Sequence, residues 1–265
     1  MINEYQEYAI SKFLKRYDYN AVLEILEECG VISGDLYFLT MSCAYSINFN
    51  FDKSLECILK VSEKNLNKEG ISNIKSNLEN LKNGHPEEIL SELIENIKIQ
   101  IINKEYIDFL GRLYRVKESL LKYIFVTTKE GATKDVNMNS YSLSKKNILY
   151  LLKKKYNIYN SNLMHGINNY VNRYLKKDNK LEKAIKILNN QRLENLMHLR
   201  NDSPIGHGFK GVSKEEIEEI YANPLDVMQD LVKTCELLNL EIKIDKYDNI
   251  NEFIIHMLGR KENYY

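Results

Sequence analysis

Three prolines in 265 residues, at positions 86, 204 and 224, leave little to interrupt a helix. Long stretches place apolar residues three and four apart, the period of one helix face. Scarce breakers and this period predict an almost wholly helical protein. Hydrophobic residues make up 44% of the chain, enough for a globular core, in one large domain or two small ones.

Taken in order, a first helix is expected over residues 3–15. Asp18 caps a second, with Ala21, Val22, Ile25 and Leu26 as its apolar face. Further helices are expected over 36–46 and 52–64. Tyr19-x-x-Val22-Leu23-Glu24-Ile25-Leu26 resembles Phe51-x-x-Ser54-Leu55-Glu56-Cys57-Ile58, a weak repeat at a period of 32 residues. That period is near the tetratricopeptide one, although two units are too few to settle a repeat array. The break at Asn83-Gly84-His85-Pro86 leads into helical patterns over 86–103 and 104–126, because Pro86 followed by Glu87 and Glu88 suits a helix start. Residues 127–142 read as a surface loop. Helices are then expected over 144–156, 160–175, 178–189 and 191–199. Residues 213–238 form more helix, interrupted near Pro224. Ile242 and Ile244 alternate with charged residues, which allows a short strand over 241–247, and a last helix covers 249–258.

Formal net charge is zero, which argues against a protein that coats nucleic acid along its whole surface. Charge is unevenly spread, however. Residues 140–210 hold fourteen Lys/Arg against four Asp/Glu. Such a region fits a polyanion partner, and a solvated helix surface fits it equally. Cys29, Cys43, Cys57 and Cys235 have no metal-ligand spacing and read as reduced, mostly buried thiols, so no metal and no cofactor are expected. Glu4 and Glu7 near the start, and the lack of a twenty-residue apolar run, predict a soluble cytoplasmic chain with no membrane partner.

The stretch with most chemistry is residues 196–216, LMHLRNDSPIGHGFKGVSKEE. Leu193, Leu196, Met197 and Leu199 mark one helix face, and Pro204 should stop that helix at or before Ser203. Gly206, Gly208 and Gly211 mark an irregular loop. Ser213 with Glu216 is a capping box that opens the next helix. Arg200, Asn201 and His207 therefore lie at the two ends of a short connection. A His serves as general base or acid, and an Arg fits phosphate oxygens through paired N–H bonds. This set suits attack of a ribose 2′-hydroxyl on the adjacent phosphate, which needs no metal and selects RNA over DNA. Asn201 would orient the His or the phosphate. The plainer alternative is an Arg placed at a helix C-terminus by dipole complementarity, with a His nearby by chance. His198, two positions from Arg200, faces elsewhere, and His85, His165 and His256 have no chemical partner in sequence.

Arg200-Asn201, Ser203 and His207-Gly208-Phe209 together resemble the R-x(4–6)-H signature of HEPN ribonucleases. The likeness is closest to the type III CRISPR-associated effectors, which read RN-x-S-x-x-AHG-F. Gly206 stands where those proteins usually have Ala, and Pro204 departs from the usual pattern. A second stretch, DFLGRLYRVKESLL, is similar to their RLYR-x-x-E segment at Arg112, Tyr114, Arg115 and Glu118, with Gly111 where a helix former is usual.

The resemblance implies an all-α fold, a helical bundle of HEPN type over 86–265 preceded by helical hairpins over 1–85. It implies a homodimer with a composite site for single-stranded RNA, acting in CRISPR-linked antiviral defence. Arg200 would clamp the phosphate, His207 would act as acid/base or phosphate-orienting group, and Asn201 would support them. Full effectors also carry a CARF sensor domain for cyclic oligoadenylate. Nothing in this sequence alternates strand and helix in that way, so the expectation is a fragment or a nuclease regulated by a separate domain, with no cyclic-nucleotide ligand. Two other readings remain: a non-catalytic tetratricopeptide-like interaction module, and a HEPN toxin held by an antitoxin.

Overall fold

The computed structural model describes residues 2–68, 70–130, 136–175 and 179–259. Among these the fold is all-α, with no strand. The helices are α1 (Glu4–Leu14), α2 (Tyr19–Glu28), α3 (Asp35–Ser46), α4 (Phe51–Ile58), α5 (Glu63–Leu66), α6 (Ile74–Lys82), α7 (Pro86–Ile102) and α8 (Tyr106–Glu130). Then follow α9 (Lys145–Tyr156), α10 (Leu163–Tyr174), α11 (Asn179–Leu188), α12 (Gln191–Asp202), α13 (Lys214–Ile220), α14 (Asp226–Leu237) and α15 (Lys246–Gly259), with a 3-10 turn at Tyr141–Leu143 before α9.

Two compact units emerge. One contains Met1–Asn83 together with Lys243–Tyr265, and the other contains Gly84–Ile242. The expected 86–265 domain included α15, whereas α15 packs on α1 and α3 of the first unit.

In that first unit the 32-residue repeat is a repeat of hydrogen bonds. Helix α1 ends as Tyr17 turns left-handed (φ 56°), and α3 ends as Phe49 does the same (φ 60°). Asp18 N–H donates to Phe13 O at 3.0 Å, and Asn50 N–H donates to Tyr45 O at 3.0 Å. Tyr17 N–H reaches Leu14 O, and Phe49 N–H reaches Ser46 O. These are Schellman closures, which satisfy the last carbonyls of each helix. The next helix is then capped by Asp18 or Asn50, each accepting from the backbone N–H three residues on. α15 fastens to both closures. Asn251 Nδ2 donates to Leu14 O at 2.8 Å, and Tyr247 Oη bonds Ser46 Oγ at 3.0 Å. Tyr19 and Tyr247 are among the largest fully buried side chains, so these bonds sit in the core.

The second unit is built on α7 and α8, which pack side by side. α8 also contacts α10 and α12, and α11 packs on α14. The α7–α8 turn repeats the same closure at Lys104 (φ 62°), where Glu105 N–H donates to Gln100 O at 2.9 Å. A left-handed lysine is strained by its Cβ. Because Lys104 is exposed, Lys104→Gly should stabilise the protein by about 0.5–1 kcal/mol. The check is thermal unfolding, where Tm should rise by about 1–3 °C. An unchanged or lower Tm would contradict this reading of the turn.

Three expectations need correction. α8 continues past Val126 to Glu130, and within it Thr127 and Thr128 turn their hydroxyls back onto the carbonyls of Tyr123 and Ile124 instead of competing for the backbone outside the helix. The expected loop over 127–142 is therefore helical at its start, and residues 131–135 lie outside the described residues. Residues 241–245 are irregular rather than a strand, there being no strand among the described residues to pair with them. The fourth expected helix, 52–64, stops at Ile58 and resumes only as the short α5.

Candidate functional site

The second unit brings the two motif-bearing stretches together. α8 presents Gly111, Tyr114 and Lys117, three residues apart and so on one helix stripe. Each meets a residue of α12 or its following loop, in antiparallel order. A Cβ built on Gly111 would lie 2.3 Å from Ile205 Cδ1, so the glycine makes room for that side chain. The Arg200 guanidinium carbon stands 4.5 Å from the centroid of the Tyr114 ring. Lys117, 3% exposed, pairs with Glu194.

α12 is held along its whole length. Asn190 caps its first turn, accepting from Leu193 N–H at 2.7 Å. Asp230 of α14 accepts from Arg192 at 3.1 Å, from Tyr221 Oη at 2.7 Å and from Asn190 Nδ2 at 3.3 Å. Burial, with the Asp230 carboxylate beside it, pushes the Tyr221 phenol up in pKa. At the other end the loop folds back on the helix. Ser203 is fully buried, and its hydroxyl donates to Arg200 O at 2.8 Å. His207 and Gly208 N–H both donate to Asn201 O, at 2.9 and 3.1 Å, and Lys210 N–H donates to Asp202 O at 2.9 Å. These bonds occupy carbonyls that would otherwise present the negative end of the helix dipole beside Arg200.

That fold-back needs glycine at two places. A Cβ at Gly206 would lie 2.3 Å from Arg200 O, and one at Gly208 would lie 2.0 Å from Asp202 O. Both obstacles are backbone atoms. Gly206, at the position where the HEPN effectors that the motif resembles have Ala, is thus the residue this loop requires. The loop's far end is fixed by Ser213 and Glu216, whose reciprocal bonds form the expected capping box. Lys210 lies 2.5 Å from Glu216. That ammonium, with the Ser213 backbone N–H, holds the Glu216 carboxyl below its ordinary pKa.

The site residues stand as follows. Arg200 is half-buried in the last turn of α12, with Nη1 3.3 Å from Asn201 Oδ1. Its Nε is buried and has no hydrogen-bond partner among the described residues. Asn201 and His207 are exposed, and the loop ties their backbones together. Phe209, two residues past His207, is 95% exposed. His198 is exposed on α12, and Arg115 bonds Glu118 at 3.0 Å as a structural pair. Cys43, Cys57 and Cys235 are buried and in no disulfide among the described residues, with Cys235 pushed up to about 12 by desolvation, and so are poor nucleophiles. No group of three or more His, Cys, Asp or Glu among the described residues could hold a metal ion. No helix among them is long and apolar enough to cross a membrane.

No protein-family model matches the chain, and no curated protein matches it.

Tyr114 as the support of Arg200, Lys117 as the partner of Glu194, and the match of Gly111 to Ile205 are not anticipated from sequence. The spacing 111–114–117 is visible there as a stripe. The partner helix is not, being 77 residues away at the Lys117–Glu194 pair.

Proposed function

We propose that this chain is a metal-independent endoribonuclease that cuts single-stranded RNA with Arg200 and His207, supported by Asn201. The observation that carries the proposal is the state of Arg200. Its guanidinium lies on an aromatic face, and its Nε is buried without an acceptor. An unpaired buried donor costs about 1–3 kcal/mol, more when charged. A guanidinium that turns out to meet a phosphate would satisfy that donor and hold the phosphate through paired N–H bonds.

In the reaction the 2′-oxygen bonds to phosphorus and gives up its proton to a base. The bond from phosphorus to the 5′-oxygen breaks, and that oxygen takes a proton. His207 is the residue for one of these transfers, and Arg200 holds the charge that builds on the non-bridging oxygens. The products end in a 2′,3′-cyclic phosphate and a 5′-hydroxyl. Pairing of two copies is part of the proposal, so that two Arg–His sets share one cleft. This pairing follows from the resemblance. An antiviral or toxin setting follows from the resemblance alone.

The test is the chemistry of the ends. Single-stranded RNA incubated in EDTA should give 2′,3′-cyclic phosphate ends, and one 2′-deoxy substitution should block cutting at its own linkage. Cutting at that linkage, or 3′-hydroxyl ends, would contradict the mechanism. A second reading, a non-catalytic interaction module, draws on the repeated hairpins of the first unit. It predicts no cutting at all.

A further inference from the structure

The hairpin of α9 and α10 carries a surface that the Arg–His site does not use. Residues 136–175 contain six Lys/Arg, six Tyr and no Asp or Glu, in a chain that is neutral overall. The fold turns the apolar residues inward, burying Ile148 and Leu152 and leaving Lys146, Tyr150 and Lys154 on one exposed stripe. Asn157 adopts φ 53° and closes α9, and Ile158 behind it is buried, its N–H on Leu152 O at 3.0 Å. That anchor leaves the next residue, Tyr159, 74% exposed.

Tyr150 and Tyr159 are each held by a lysine. Lys154 Nζ donates to Tyr150 Oη at 2.8 Å and lies 5.3 Å from that ring's centroid. Lys153 Nζ lies 5.7 Å from the centroid of Tyr159. Aromatic rings and ammonium groups are thus interleaved along the end of α9 and the turn after it. Bases stack on the first and phosphates pair with the second, a combination suited to unpaired nucleic acid. A membrane would instead call for exposed aliphatic or indole side chains on the apolar face, and here the aliphatic face is buried.

We propose that Tyr150, Lys153, Lys154 and Tyr159 form a docking platform for single-stranded RNA, distinct from the residues that would cut it. The choice of RNA rests on the nuclease reading, whereas the surface itself does not. The probe is a fluorescent 20-mer of 2′-O-methyl uridine, which binds without being cut, followed by anisotropy in EDTA. The double variant Tyr150→Ala/Tyr159→Ala should bind about tenfold or more weakly, as loss of base stacking predicts. Lys153→Glu/Lys154→Glu should weaken binding further and flatten its salt dependence. All four side chains are exposed, so melting temperatures should not change.

Equal binding by wild type and both variants would overturn the proposal. So would equal affinity for a duplex of the same length, or binding to phosphatidylserine vesicles in place of the oligonucleotide. The two readings fail separately. Platform variants that bind normally, alongside cutting that needs His207, would remove the platform and leave the nuclease. Binding through the platform by a wild type that never cuts RNA would do the reverse.

Discussion

Gly208→Ala is expected to abolish the arrangement around His207 while leaving both units folded. The added Cβ would lie 2.0 Å from Asp202 O and 2.5 Å from Asp202 C, and neither is a flexible side-chain end. The loop must therefore lift from the end of α12. Doing so breaks the bonds from His207 and Gly208 N–H to Asn201 O. Overpacking of this kind costs about 1–3 kcal/mol, which thermal unfolding will register. Activity should fall much further, to the level of His207→Ala, because misplacing a reacting group by about 1 Å can cost 10²-fold. Gly211→Ala is the matched control, since a Cβ there meets nothing within 4 Å. A Gly208→Ala protein with wild-type melting and cleavage would show that the fold-back does not position His207.

The second large effect concerns the seam between α8 and α12. Lys117 has a side chain 4% exposed, and its ion-pair partner Glu194 is 42% exposed. Glu194→Ala would leave a buried ammonium without its carboxylate. Breaking a fully buried pair costs about 3–5 kcal/mol, and solvent at the Glu194 side reduces this to about 2–3 kcal/mol. The expected loss in Tm is about 5–10 °C. Adding Lys117→Met should recover most of it, because an apolar side chain of similar length needs no counter-ion there. A Glu194→Ala protein as stable as wild type would mean that water or another group already serves Lys117.

Local features of the site were legible in the sequence. Pro204 placed the end of α12, Ser213 and Glu216 marked the start of α13, and Arg200 and His207 could be assigned to the two ends of one short connection. Each of these depends on neighbours within a few residues. The hairpin repeat was legible in the matching pattern of residues 19–26 and 51–58 and in the local cap Asp18, whereas the Asn50 cap was not read. What a chain pattern cannot show is which distant surfaces meet. Tyr114 reads in sequence as one position of the RLYR stretch, and only the packing of α8 on α12 makes it the platform for Arg200. Gly206 and Gly208 read as generic loop glycines, yet their necessity comes from carbonyls of the preceding helix. α15 was assigned by sequence order to the second unit, and the buried bonds of Tyr247 and Asn251 attach it to the first. α6 was not anticipated, its IKSNLENLK offering a short apolar face among polar residues.

The central claim is that Arg200 and His207 act together on a phosphodiester without a metal. Its most direct test is cleavage of a labelled single-stranded RNA in EDTA by wild type, Arg200→Ala and His207→Ala, each verified as folded by circular dichroism. The account predicts cutting by wild type and a loss of about 10²–10⁴-fold in each variant, the range for removing a general acid–base or a preorganised charge. Equal cutting by all three proteins, or none by wild type, would contradict it.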